Sequence, residues 1–184
     1  DTFIIGTGIA RGIDALVKYN SKELYVWLVY SLGQVKRDDG VREYSPHFDR
    51  RHNVNFVTSY KFGKKQDWKF DARWNLGSGF PFTQTQGFYE NITYSDGLNT
   101  DYTSTNGELG IQYAKLHNGR LPYYHRLDIS LAKSIEFKNN SKLNITASVT
   151  NAYNRENIFY FNRVKYDRVN QLPLMPSLGM SLTF

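Results

Sequence analysis

Apolar and polar side chains alternate strictly along most of this chain, in segments of about ten residues. That alternation restricts the possible folds more than any other feature. A side-chain period of two belongs to an extended strand with one apolar face and cannot form an amphipathic helix. In segment 11–19 one face carries Ile13, Ala15, Val17 and Tyr19, and in 23–33 it carries Leu24, Val26, Leu28, Tyr30 and Leu32. Segment 52–62 aligns Val54, Phe56, Thr58, Tyr60 and Phe62, and 67–77 aligns Trp68, Phe70, Ala72, Trp74 and Leu76. Segment 123–137 aligns Leu127, Ile129, Leu131, Ile135 and Phe137, with Lys133 interrupting. Leu143, Ile145, Ala147 and Val149 follow in 142–150, and the final SLGMSLTF shows Leu178, Met180, Leu182 and Phe184. The opposite faces are mostly polar: Asp14 and Lys18, Lys69 with Asp71 and Arg73, Arg126 with Asp128, Asn144 with Thr146, Ser148 and Thr150. Segment 23–33 departs from this, because Tyr25, Trp27 and Val29 make its second face apolar too. The fold class is therefore all-β and antiparallel. Alternation alone fits a soluble sandwich and a membrane barrel equally well.

The connections separate these two. Three are tight and polar, at residues 20–22, 63–66 and 138–141, and three are long, at 35–50, 78–122 and 151–173. Tight and long connections take turns along the chain. Antiparallel strands then place every tight turn at one end and every long loop at the other. Loops this long are uncommon in compact domains, whereas an outer-membrane barrel has short periplasmic turns and long extracellular loops. The stretch Glu108–Ala114 reads as part of a hairpin rising from the 78–122 loop. The chain is rich in rings, with 14 Tyr, 12 Phe and 3 Trp. On the apolar face Tyr19, Tyr60, Phe62, Trp68, Phe137 and Phe184 fall beside the tight turns, and Tyr30, Trp74 and Tyr123 fall toward the long loops. Two aromatic girdles around an apolar band are what a membrane-spanning strand wall predicts.

Several function classes drop out. With no cysteine there is neither a disulfide framework nor a thiolate metal site. The net charge of +6 comes from scattered Lys and Arg, with no basic amphipathic helix and no RNA-binding aromatic motif, so nucleic acid is not an expected partner. The opening DTFIIGTGIA lacks a basic n-region and a cleavage site. No apolar run approaches the ~20 residues of a transmembrane helix. FIIGTGIARG departs from a dinucleotide fingerprint, since Arg11 stands where Gly or Ala belongs and a strand follows instead of a helix. Gly63–Lys64–Lys65 reads as a turn, not a phosphate loop. His47, His52, His117 and His125 lack metal-ligand spacing, and His125 is expected to pack or hydrogen-bond near the rim. The sequons at Asn91, Asn139 and Asn144 mean little in a bacterial outer membrane, and Asn144 falls on the polar face. With no nucleophile–base pair and no close carboxylate pair, neither an enzyme nor a cofactor is expected.

The strands number about seven, and a closed antiparallel barrel from one bacterial chain has an even number. NGRLPYYHRLD at 118–128, followed by ISLAKSIEF, LNITASVTNAYNRENIFYF and the terminal NQLPLMPSLGMSLTF, resembles the C-terminal barrel of TonB-dependent outer-membrane receptors, most like those of Bacteroidota. GIARGIDALVKYNSKELYVWLVYSLGQVKR, FDRRHNVNFVTSYKF and WKFDARWNLGSGFPFTQTQG fit the same order. The resemblance covers nearly all of residues 1–184. It implies an antiparallel transmembrane β-barrel segment, the last seven strands of a barrel of about 22. A plug and the first strands would lie outside this chain. It implies import of a scarce or bulky nutrient (an iron chelate, cobalamin, a glycan or a peptide) across the bacterial outer membrane, driven through TonB acting on the plug. The alternatives are a small complete eight-stranded barrel with a structural or surface-binding role, and a receptor-like barrel serving as scaffold in a larger complex. The implied partners are outer-membrane lipid, the chain's own plug and remaining strands, TonB through the plug, and the barrel-assembly machinery, which reads a terminal strand such as Leu178, Met180, Leu182 and Phe184. The alternating charges of the polar face are expected mainly to hold a barrel wall against its plug. Substrate contacts are expected from the long loops: Phe80, Phe82, Phe88 and Tyr89, with Arg120, Tyr123 and Tyr124 at the return.

Overall fold

A computed structural model describes residues 6–91, 108–138 and 141–184. The described residues form strands and turns without a helix: β1 (Thr7–Asn20), β2 (Leu24–Asp38), β3 (Glu43–Tyr44), β4 (His52–Phe62), β5 (Trp68–Gly77), β6 (Pro81–Phe82), β7 (Thr85–Asn91), β8 (Glu108–Tyr113), β9 (Gly119–Arg120), β10 (Tyr124–Glu136), β11 (Lys142–Thr150), β12 (Ile158–Asn162), β13 (Asp167–Asn170) and β14 (Met175–Thr183). Seven of them make one sheet in the order β1-β2-β4-β5-β10-β11-β14, with β3 added to β2. Every neighbouring pair is antiparallel. The sheet is an open up-and-down meander. Among the described residues no pairing joins β1 to β14, so each presents an unpaired edge.

Register carries the alternation of single strands across the whole sheet. Opposed residues in an antiparallel ladder share a face. One row runs Leu24–Tyr60–Phe70–Leu131–Ala147–Leu178. Another runs Val17–Leu28–Phe56–Trp74–Leu127. A slip of one residue in any strand would turn its apolar set to the other side. No strand slips, so the apolar sets fuse into one continuous face. Nothing packs on it: among the described residues the only buried apolar side chains are Pro46 and Pro81, both outside the seven-stranded sheet. The two fully buried side chains are Asn151 and Asp49, both polar and both in loops. A soluble domain of this size buries an apolar core, and this sheet does not.

The opposite face holds hydrogen-bonded polar groups. Arg126 pairs with Asp128 at 2.9 Å and Lys69 with Asp71 at 2.9 Å. Asn75 donates to Asn55, and Ser134 donates to Asn144 at 2.7 Å. The apolar second side of β2 continues onto β4, where Trp27 stands opposite Val57. Lys133, the break in the apolar pattern, pairs with Asp67 beside the turn, and its ammonium lies 4.5 Å from the centre of the Trp68 ring.

The tight turns lie at one end of the sheet. At the first, Leu24 donates its amide to Ser21 Oγ at 3.0 Å. At the second, Gly63 adopts a φ of 94°, and a Cβ there would stand 2.5 Å from Asp67 Oδ1, so only glycine closes this turn. The third spans Asn139 and Asn140, which lie outside the described residues. Two boundaries differ from the sequence reading. The β1–β2 ladder continues to Thr7 opposite Asp38, so residues 35–38 are strand and not loop. β14 starts at Met175, opposite Thr150. In both cases ladder hydrogen bonds to a neighbour extend the strand beyond the alternating pattern.

At the other end the long connections build their own small ladders. β3 pairs with the last two residues of β2. β6 pairs with β9, and beyond them β7 pairs with β8. The stretch read as part of a rising hairpin is β8, paired with β7. β12 and β13 form a third, separate hairpin.

Candidate functional site

The long-loop end is held by buried polar residues. Asp49 accepts the Val35 amide at 2.8 Å and pairs with Arg120, whose Nη1 also donates to Asp49 O at 3.2 Å and Gly79 O at 3.3 Å. One side chain thereby ties β2, the 45–51 connection and the return strand β9. Burial pushes the Asp49 carboxyl up, but the hydrogen bonds from Arg120 and the Val35 amide outweigh it and hold its pKa below the ordinary 3.8. Asn157 splices the third loop to β10, accepting the His125 amide at 3.1 Å and donating to His125 O at 2.9 Å. Asn151 holds φ at 55° and bonds the carbonyls of Arg155 and Leu172 at 2.9 and 3.0 Å. Asparagine tolerates this left-handed backbone better than most residues, which is why NAYNREN folds into a compact knuckle.

Between these clamps lies a cavity of about 440 Å³, lined by segments around Arg50, Gly79–Phe80, Leu121–Tyr124, Arg155–Glu156, Ile158–Phe159 and the Arg168–Gln171 stretch. It opens at the loop end of the polar face. Gly77 fixes that placement: its neighbour Leu76 belongs to the apolar face, so a side chain at Gly77 would project to the polar one. A Cβ there would stand 2.4 Å from the Arg50 guanidinium carbon. The missing side chain is the seat of Arg50. Gly79 shapes the floor, because a Cβ there would stand 1.5 Å from Leu121 O. Leu121 donates its amide to Phe80 O at 3.0 Å across this close approach.

Arg50 lies 4.1 Å above the centre of the Phe80 ring and 6.0 Å from that of Tyr124. Burial pushes its pKa below the ordinary value, with Tyr124 pulling the other way. The Nε atoms of Arg50 and Arg155, and of Arg51 outside the lining, are buried without a hydrogen-bond acceptor among the described residues. Such an orphaned donor costs about 1–3 kcal/mol. Arg168 is satisfied by Glu156.

The expected contact residues separate into two groups. Phe80, Tyr123 and Tyr124 meet in this cavity. Phe82 instead packs on Phe161 at 5.7 Å, and Phe88 meets Tyr166 edge-on at 5.9 Å. Tyr89 lies over Gly110, where a Cβ would stand 2.5 Å from its ring. Arg120 is engaged in the Asp49 clamp. The sequence reading missed Arg50, Arg155, Arg168, Glu156 and Phe159. The Arg50–Arg51 pair before β4 and the Asn-rich knuckle around Arg155 are the only local signals of them.

Of the rings expected to form two girdles, Tyr123 lines the cavity instead, and the others lie toward the two ends of the sheet. At the turn end Tyr60, Phe62 and Trp68 stack in a ladder, with ring centres 5.8 and 6.0 Å apart and planes within 13°. Tyr19 stands opposite Val26, and Phe137 donates its amide to Ser141 O at 2.8 Å. At the loop end Tyr30 OH bonds His52 Nδ1 at 2.9 Å. Trp74 Nε1 donates to Tyr153 OH at 3.2 Å, and that hydroxyl also bonds His125 Nδ1 at 2.7 Å. His125 thus hydrogen-bonds at the loop end of the sheet. Leu178, Met180 and Leu182 lie opposite Ala147, Ile145 and Leu143, exposed on the edge strand, and Phe184 follows its last residue. Among the described residues no cluster of three or more His, Asp or Glu side chains is placed to hold a metal. No family model, curated protein or solved structure matches the chain.

Proposed function

We propose that this chain is part of the wall of an outer-membrane β-barrel, of the type that serves TonB-dependent import. One observation carries the reading. Seven antiparallel strands register their apolar side chains into a single uncovered face, and among the described residues no aliphatic or aromatic side chain is buried. In water such a face is a liability far larger than a monomer tolerates, and in lipid it is the required surface. The segregation of tight turns and long loops, and rings with hydrogen-bonding tips toward both ends, support the same reading. The two open edges fit a wall that continues into further strands, since lipid tolerates no unpaired edge. On this reading the polar face lines the lumen, the loop end faces outward, and transport would need a plug and TonB beyond these residues.

The intact protein is expected in the detergent phase on partition, with a gel mobility that changes on boiling. Recovery in the aqueous phase without detergent would refute the barrel. A native product near 21 kDa that closes its own ring would favour the small complete barrel over the receptor.

A further inference from the structure

We infer that the cavity between the second and third long loops binds a small ligand carrying an oxyanion, carboxylate or phosphate, on a sugar ring. The inference rests on the barrel reading only for the direction the cavity faces. Its lining holds three arginines against one glutamate, a formal surplus of two positive charges. Glu156 is spent on Arg168. Arg50 and Arg155 keep buried Nε donors with no acceptor among the described residues. The Nε atoms themselves have no accessible surface, so a ligand in the cavity would meet the Nη groups of these guanidiniums, which have no ion-pair partner among the described residues. A planar fork of N–H groups matches a carboxylate or phosphate in shape as well as charge.

The remaining lining selects what the anion is attached to. Phe80, Tyr123, Tyr124 and Phe159 offer ring faces and edges around the same space. Phe80 already holds the Arg50 guanidinium on one face, so the cation is oriented before a ligand arrives. Gly77 and Gly79 fix the geometry from below, one by seating Arg50 and the other by letting the floor strands touch. A volume of about 440 Å³ lies within the range of small-molecule sites and fits one or two sugar-sized rings.

The test measures calorimetric binding of glucuronate, glucose 6-phosphate and glucose to the intact protein in detergent, after its heat-dependent gel shift is verified. At least one anion is expected to bind about tenfold or more tightly than glucose, the factor of a charge-assisted hydrogen bond. R50M and R155M are each expected to remove that advantage, so that the anion binds no more tightly than glucose does to the same variant. G77A keeps the charge but displaces the guanidinium, so it should weaken the anion as well. If only one anion shows the advantage, the oxyanion is identified as that one. Equal binding of all three sugars, or none by a protein whose gel shift is intact, overturns the site and leaves the barrel reading standing. Affinity untouched by R50M and R155M, with lower thermal stability of the ligand-free protein, also overturns it, because those guanidiniums would then serve another part of the protein. Loss of the gel shift in the unaltered protein sinks the barrel reading instead.

Discussion

Arginine substituted for Leu131 gives the sharpest separation between a lipid-facing wall and a sheet in water. Leu131 lies seven residues from Tyr124 and five from Glu136 along β10. At ~3.4 Å per residue and ~40° of tilt, that puts it roughly 18 Å from the loop end and 13 Å from the turn end, near the middle of a ~25 Å apolar band. Its register partners are Phe70 and Ala147, and the next rows on that face bring Ala72, Trp68, Val149 and Ile145. None of these accepts a hydrogen bond from a guanidinium, and Lys133 two residues away adds a like charge. L131R is expected to destabilise the folded barrel in lipid by about 2–4 kcal/mol. The neighbouring S130R points to the polar face, opposite Asp71 and Ser148, and is expected to cost less than about 1 kcal/mol. Urea unfolding of the intact protein in phosphatidylcholine vesicles, followed by tryptophan fluorescence, measures both. In water Leu131 is already 38% exposed, and the two variants would then differ little. A difference below about 1 kcal/mol would refute the assignment of this face to lipid.

Two further predictions concern the loop end. D49A strands the Val35 amide and the Arg120 guanidinium; because Arg120 is 38% exposed and regains water, the cost is expected near 2–3 kcal/mol, below that of a fully buried pair. Proteolysis of the long loops should quicken while that of the tight turns does not. The Asp49 pKa is lowered on folding, so its contribution is complete above about pH 3.8 and is lost as pH falls through the lowered folded value; the protection factor of the Val35 amide, with intrinsic exchange divided out, should fall in that acid range and stay flat above it. Glycines give an opposed pair. G79A meets Leu121 O at 1.5 Å and is expected to cost about 3 kcal/mol, while G179A meets nothing within 4 Å and is expected to be neutral or to stabilise β14 by up to about 1 kcal/mol in the same unfolding titration.

The seven long strands were legible because alternation is a local property, written every two residues, and register then preserves it from strand to strand. β4 illustrates this, since the segment read as 52–62 is the strand that forms. Pro81–Phe82 and Gly119–Arg120 illustrate the opposite. A ladder of two residues has no period to read, and it exists because Gly79 lets the two backbones touch. Phe82 and Arg120 looked as available for a ligand as Phe80 and Tyr124. Their engagement by Phe161 and Asp49 depends on partners far along the chain.

The sequence by itself determined the strand type, the apolar and polar faces, the turn end and the loop end, because each is encoded in spacing between near neighbours. Only the tertiary structure decided that the apolar faces join without a break, that nothing among the described residues covers them, and that Arg50, Phe80 and Arg155 surround one cavity. Those facts depend on pairing between distant segments and on the reach of individual side chains, which no local pattern records.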